Sequence, residues 1–157
     1  MSALAEKLLE QIDTSAPGST VTAVEQQHRF RLGLTDAGPL AVSFSELRLT
    51  TEELEGAGVE RVRRVAEWLT ERVTYLLEPL TPVEIDQELA VVQMRSVDPA
   101  QDEQGASYYE LLVKTGGSVS LRRYRKPRGA MWEPIDATVT REVLGRLAGD
   151  FMESVGS

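Results

Sequence analysis

Apolar residues recur along this chain at two periods, and the switches between them lay out its elements. Leu4, Leu8, Leu9 and Ile12 fall at i, i+4, i+5 and i+8, which predicts a short amphipathic helix ending before Ser15-Ala16-Pro17-Gly18. The stretch VTAVE then reads as a first strand. From His28 the period drops to two: His28, Phe30, Leu32 and Leu34 alternate with Arg29, Arg31 and Gly33, as in a strand with one buried face. A five-residue loop from Thr35 to Pro39 places Leu40, Val42 and Phe44 opposite Leu34, Leu32 and Phe30 on the return strand. Thr50-Thr51-Glu52-Glu53 has the form of a capping box, with Thr50 as cap and Glu53 reaching back. Gly56-Ala57-Gly58 interrupts that turn before the main helix, whose stripe is Val62, Val65, Leu69, Val73, Leu76 and Leu77 and whose end is set by Pro79 and Pro82.

The second half is richer in strands. Val83 to Val97 reads as one extended stretch whose later part, LAVVQM, is apolar on both faces like a central strand. Asp98 to Ser107 is polar and aperiodic, so a mobile loop is expected there. SYYELLVKT and SVSLRRYRK flank Gly116-Gly117, the composition of a two-residue type I′ hairpin. Counting from that turn sets Lys114 opposite Val119, Leu112 opposite Leu121, Glu110 opposite Arg123 and Tyr109 opposite Tyr124. GAMWEPIDATV, with Trp132 inside it and Pro134 barring a central place, suggests a last edge strand. Thr140 then caps a final helix carrying Val143, Leu144, Leu147, Phe151 and Val155. Contiguous antiparallel strands with segregated helices predict an α+β fold in a single domain spanning residues 1–157, its helices packed on a mostly antiparallel sheet.

Composition narrows the chemistry. The chain has 157 residues, a size at which one core can bury most of the apolar surface. Cysteine is absent, so disulfides, thiolate metal sites and cysteine nucleophiles are excluded. The N-terminus lacks the basic and long apolar regions of a signal peptide, and no window approaches the roughly 20 apolar residues that span a bilayer, so a cytoplasmic, non-membrane protein is expected. A net charge of −8 repels polyanions, which makes nucleic acid an unlikely class of partner.

Three groups of residues offer candidate chemistry. His28, the only histidine, would face Glu46 in the expected register, but a histidine at a strand end beside a carboxylate is more often structural than catalytic. Glu84, Asp86 and Glu88 alternate, so a strand would project them from one face about 6.5–7 Å apart, within reach of a hard divalent cation; the competing reading is the solvated guard of an edge strand. Arg122, Arg123, Arg125, Lys126 and Arg128 surround Tyr124 and could grip an anion or an acidic partner. Strand alternation divides them, however, with Arg123 and Arg125 on one face and Arg122 and Lys126 on the other. Trp68 and Trp132 are candidate interface anchors, as is the pair Tyr108-Tyr109. No phosphate-binding glycine loop or hydrolase motif is present, and no cofactor is expected.

The element order, the small size and the acidity resemble the type III secretion chaperones. That resemblance implies a cytoplasmic homodimer holding an extended protein client, and it transfers no functional residue. The leading expectation is therefore a non-enzymatic adaptor or chaperone-like domain with a protein partner. The alternatives are a metal-dependent or small-ligand enzyme or sensor built on the acidic strand or the arginine-rich hairpin, and a structural subunit of a larger assembly.

Overall fold

The computed structural model describes residues 2–76, 80–96, 100–102, 105–127 and 129–156, with the backbone alone at 82, 83 and 100–102. The α+β architecture is as expected. Helix α1 (Ala3–Asp13) precedes strands β1 (Thr20–Glu25), β2 (His28–Ala37) and β3 (Ala41–Thr51), and a 3₁₀ turn (Glu52–Leu54) leads to α2 (Val59–Arg72). Strands β4 (Leu80–Asp86), β5 (Val91–Ser96), β6 (Ala100–Asp102), β7 (Gly105–Lys114), β8 (Ser118–Lys126), β9 (Glu133–Ile135) and β10 (Ala137–Thr140) follow, and α3 (Arg141–Val155) ends the chain. The strands form one antiparallel sheet in the order β1-β2-β3-β8-β7-β5-β4. Three short strands fill its margins: β10 lies beside the start of β3, β9 beside the end of β8, and β6 beside the start of β7.

The helices cover one face of this sheet. Leu4, Ala5, Leu8 and Ile12 of α1, Val62, Val65, Ala66 and Leu69 of α2, and Leu144, Leu147, Ala148, Phe151 and Val155 of α3 are buried in one cluster. Alternate strand residues complete it: Val21, Ala23, Phe30, Leu32, Leu47, Leu49, Leu111, Val113, Val119, Leu121, Val92 and Met94. Each such leucine or valine contributes about 1.5–3 kcal/mol relative to an exposed one. Thr140 caps α3 as expected, its Oγ1 accepting from Val143 N–H at 3.1 Å.

Several local expectations are corrected. The β7–β8 connection is a three-residue loop, Thr115-Gly116-Gly117, in which only Gly117 has positive φ. The register therefore shifts by one residue: Lys114 faces Ser118, Leu111 faces Leu121, Glu110 faces Arg122, Tyr109 faces Arg123, and Tyr108 faces Tyr124. Packing dictates the shift. A two-residue turn would set core residue Leu111 opposite Arg122, whereas the longer loop pairs Leu111 with Leu121 and Val113 with Val119. The β2–β3 loop is shorter than expected, Gly38-Pro39-Leu40, with Leu40 exposed at its tip. Leu34 thus faces Phe44, and after a bulge Leu32 faces Leu47 and Phe30 faces Leu49. Gly33 makes room for that bulge, since a Cβ there would stand 2.2 Å from Ser45 Oγ.

The cap before the 3₁₀ turn is Thr51, not Thr50; its Oγ1 accepts from Glu53 N–H at 3.2 Å. Helix α2 ends at Arg72, where the β-branched pair Val73-Thr74 leaves helical geometry while Val73 and Leu76 stay buried. Leu77 and Pro79 lie outside the described residues. The stretch expected to extend from Val83 to Val97 is folded into the β4–β5 hairpin, turning at Gln87–Ala90 with positive φ at Ala90. Within the segment expected to be a loop, β6 pairs Ala100 with Ser107 and Asp102 with Gly105. Trp132 stands just before β9 rather than in a strand.

Candidate binding face

Helices on one face leave the other face of the sheet uncovered. Its side chains are the alternate residues that the core does not use. Arg29 and Arg31 point there from β2, and Glu46, Arg48 and Thr50 from β3. Strand β8 contributes Ser118, Ser120, Arg122 and Tyr124, β7 contributes Tyr108, Glu110, Leu112 and Lys114, and β5 contributes Val91, Gln93 and Arg95. The residues just named bring six cations and two carboxylates to this face, and Lys126 of β8 and Asp36 of β2 add one of each, in a chain whose net charge is −8. Glu84 and Asp86 stand at the opposite margin, on β4.

The charge is compensated unevenly across the face. Glu46 is shared, its two oxygens 3.0 Å from Arg48 Nε and 2.5 Å from Arg122 Nε. That hydrogen bond, and then the carboxylate's charge, raise the pKa of the Arg122 guanidinium. Glu110 accepts from Gln93 Nε2 at 2.6 Å. Arg31 stands directly opposite Arg48, and Arg29 lies two residues along the same strand. Among the described residues no carboxylate pairs with Arg29 or Arg31. Beside them an open concavity of about 440 Å³ is lined by Arg29, Arg31, His28, Thr50 and the carboxylates Glu52 and Glu55, among others.

Toward the end of β8 the same face becomes aromatic. Tyr108 stacks on Tyr124 with centroids 5.7 Å apart and meets Trp132 edge-on at 4.6 Å. Arg95 lies 4.7 Å above Tyr108, and Lys126 lies 5.7 Å from the Trp132 ring. Desolvation is the main cause that pushes the Tyr108 phenol above its ordinary pKa. Trp132 stays 42% exposed and Met131 beside it 87%, so the cluster has an apolar rim open to a partner.

The arginine-rich stretch thus does not act as one patch. Arg122 pairs with Glu46, and Arg125 pairs with Glu133 at 2.8 Å. Arg123 points to the covered side, is buried, lies 4.4 Å above Tyr109 and donates to Ser107 Oγ at 2.9 Å. Arg128 lies outside the described residues. Trp68 is half-buried against the core with Arg72 above its ring at 4.9 Å.

The acidic trio is divided between strand and turn. Glu84 and Asp86 belong to β4 and Glu88 to the turn, where Asp86 Oδ1 accepts from Leu89 N–H at 3.0 Å. Among the described residues no group of three histidine or carboxylate side chains converges in the manner of metal ligands. His28 faces Thr51 rather than Glu46, and its Nε2 is 3.9 Å from Glu53 Oε1, which also accepts from Gln27 Nε2 at 2.6 Å.

Arg29, Arg31 and Arg48 are the site residues that the sequence reading passes over. Alternation along β2 already turns Arg29 and Arg31 away from the core, but the expected register sets Arg31 opposite Ser43 and so conceals the Arg31–Arg48 pair. No protein-family model, no curated protein and no solved structure matches this chain. No helix among the described residues is long and apolar enough to cross a membrane.

Proposed function

We propose that this chain is a non-enzymatic protein-binding domain of adaptor or chaperone type, acting in the cytoplasm, that holds an extended segment of a protein partner against its uncovered sheet face. The observation that carries this reading is the makeup of that face. A broad sheet surface left bare by all three helices presents arginine and, around the buried Tyr108, the partly exposed Tyr124 and Trp132, residue types that dominate binding hot spots. The two edges of the sheet differ in a way that supports it. The β4 edge carries Pro82, a register break and two carboxylates, which discourage pairing. The β1 edge, TVTAVE, has no proline or bulge and no charge before Glu25; Lys7 Nζ donates to Val24 O at 3.4 Å near its end, which leaves the stretch from Thr20 to Ala23 for strand addition. The resemblance of the element order to the type III secretion chaperones fits the same role, and a second copy of the chain would be one occupant of that edge.

Probing an array of short extended peptides of varied sequence with the purified protein tests the proposal. Amide hydrogen exchange on each complex then locates the contact. Binding that protects β1 and the exposed strand residues is the expected result. An array with no binders, or protection confined to the helices, would overturn the reading. Light scattering alongside it reports the homodimer.

A further inference from the structure

The protein-binding reading leaves the chemistry of the partner open, and the charge on the uncovered face closes it. We infer that the bound segment is acidic, with carboxylates at alternate positions along an extended strand. This inference rests on the proposed function and adds the recognition rule.

Arg29, Arg31 and Arg48 carry the argument. Directly opposite residues in an antiparallel pair have Cβ atoms about 4.5–5.5 Å apart, and residues two apart on a strand are separated by about 6.5–7 Å. Three guanidinium side chains therefore emerge from one small area; Glu46 is already engaged by Arg48 and Arg122, and Glu52 and Glu55, which line the same concavity, form no ion pair with Arg29 or Arg31 among the described residues. Neighbouring β1 presents Thr20, Thr22 and Val24 on this side, all too short to cover the arginines or to neutralise them. Like charges set directly opposite each other destabilise a sheet, and an anion bound between them removes that repulsion.

The geometry selects an extended acidic segment over a single small anion. A strand added at β1 lies about 9.5 Å from β2, two strand spacings away, a gap that an outstretched arginine and a glutamate bridge together. Added strand and β2 rise by the same distance per residue, so carboxylates two residues apart on the partner match the spacing of Arg29 and Arg31. Arginine's planar fork takes a carboxylate through two parallel hydrogen bonds. The remaining surface, acidic overall, repels such a segment, and screening over about 8 Å at physiological salt confines its attraction to this face.

Fluorescence anisotropy decides the matter with three labelled probes: a short peptide with Glu at alternate positions and Thr or Val between, its Gln counterpart, and a single-stranded oligonucleotide. The Glu peptide is expected to bind, to weaken as salt rises, and to lose about tenfold or more in affinity in the Arg29→Ala/Arg31→Ala protein. Arg63→Ala, on α2, leaves its binding unchanged, and Arg29→Lys/Arg31→Lys gives an intermediate affinity by keeping charge without the fork. Melting curves confirm that each variant is folded. Equal binding of the Glu and Gln peptides with protection of β1 amides would overturn the acidic rule while the protein-binding reading stands. No binding by either peptide, or tighter binding of the oligonucleotide through the same arginines, overturns the inference; in the first case the peptide array decides whether the broader reading falls with it.

Discussion

Gly117 and Thr51 are joined at the point where β3 meets the β7–β8 turn. Thr51 N–H donates to Gly117 O at 2.7 Å, and Gly117 has φ +98° with its missing Cβ position 2.8 Å from Thr51 O. Any other residue there meets both a left-handed backbone and a carbonyl oxygen. Gly117→Ala is expected to cost about 1–3 kcal/mol or more, and Gly116→Ala, with open space around it and no positive φ, less than about 0.5 kcal/mol. Urea denaturation of the two variants checks this, and equal stabilities would show that the turn is not locked to β3.

Removing Arg31 should stabilise the fold. Its side chain faces Arg48 across the β2–β3 pair and has no carboxylate partner among the described residues. Replacing it with threonine, which suits a strand, relieves the repulsion and is expected to gain about 0.2–1 kcal/mol, more at low salt than at high. A melting temperature that rises while affinity for an acidic peptide falls separates binding from structure at this position. A lower melting temperature would mean that Arg31 makes a net favourable contact in the free protein.

How far the sequence can be read depends on which physical signal carries each element. The helices were legible because apolar residues at helical spacing and the Thr140 cap are local, and so was the alternation of β2. Register was not, because one residue in a loop moves every pairing. Gly116-Gly117 suits a two-residue turn, yet the burial of Leu111 against Leu121 outweighs that local preference and enlists Thr115 in the loop. The candidate face was hidden for the same reason. Linear density points to Arg122–Arg128, whereas the uncompensated charge comes from Arg29 and Arg31, which meet the Glu46-paired Arg48 of the next strand only once the β2–β3 bulge is placed.

Arg123 exemplifies a cation used as packing. It is 8% exposed, stacks on Tyr109 and donates to Ser107. Arg123→Ala is expected to destabilise by about 1–3 kcal/mol through the lost stacking area and the unpartnered Ser107, and Arg123→Lys recovers only part of that because an ammonium cannot stack as a plane. Denaturation midpoints read out the series. Ala and Lys variants of equal, wild-type stability would place Arg123 outside the core's energetics.

Tyr75 contributes stability that is lost at alkaline pH. Its hydroxyl donates to Asp150 Oδ2 at 2.6 Å while Arg146 lies 4.0 Å above the ring. Burial first, then the hydrogen bond to Asp150 and that carboxylate's charge, drive the phenol pKa far above its ordinary value, with Arg146 opposing. The folded state therefore holds this proton where the unfolded chain, with a tyrosine pKa near 10, releases it. The stabilisation is fully present below about pH 10 and is lost progressively as pH rises toward the folded pKa. Tyr75→Phe should cost about 1.5–3 kcal/mol near neutrality, the value of a hydrogen bond to a charged group, and the gap to wild type should narrow above about pH 10. Denaturant midpoints for both proteins across that range test the sign, and a gap that stays constant or widens at high pH would show that Tyr75 ionises no later in the fold than out of it.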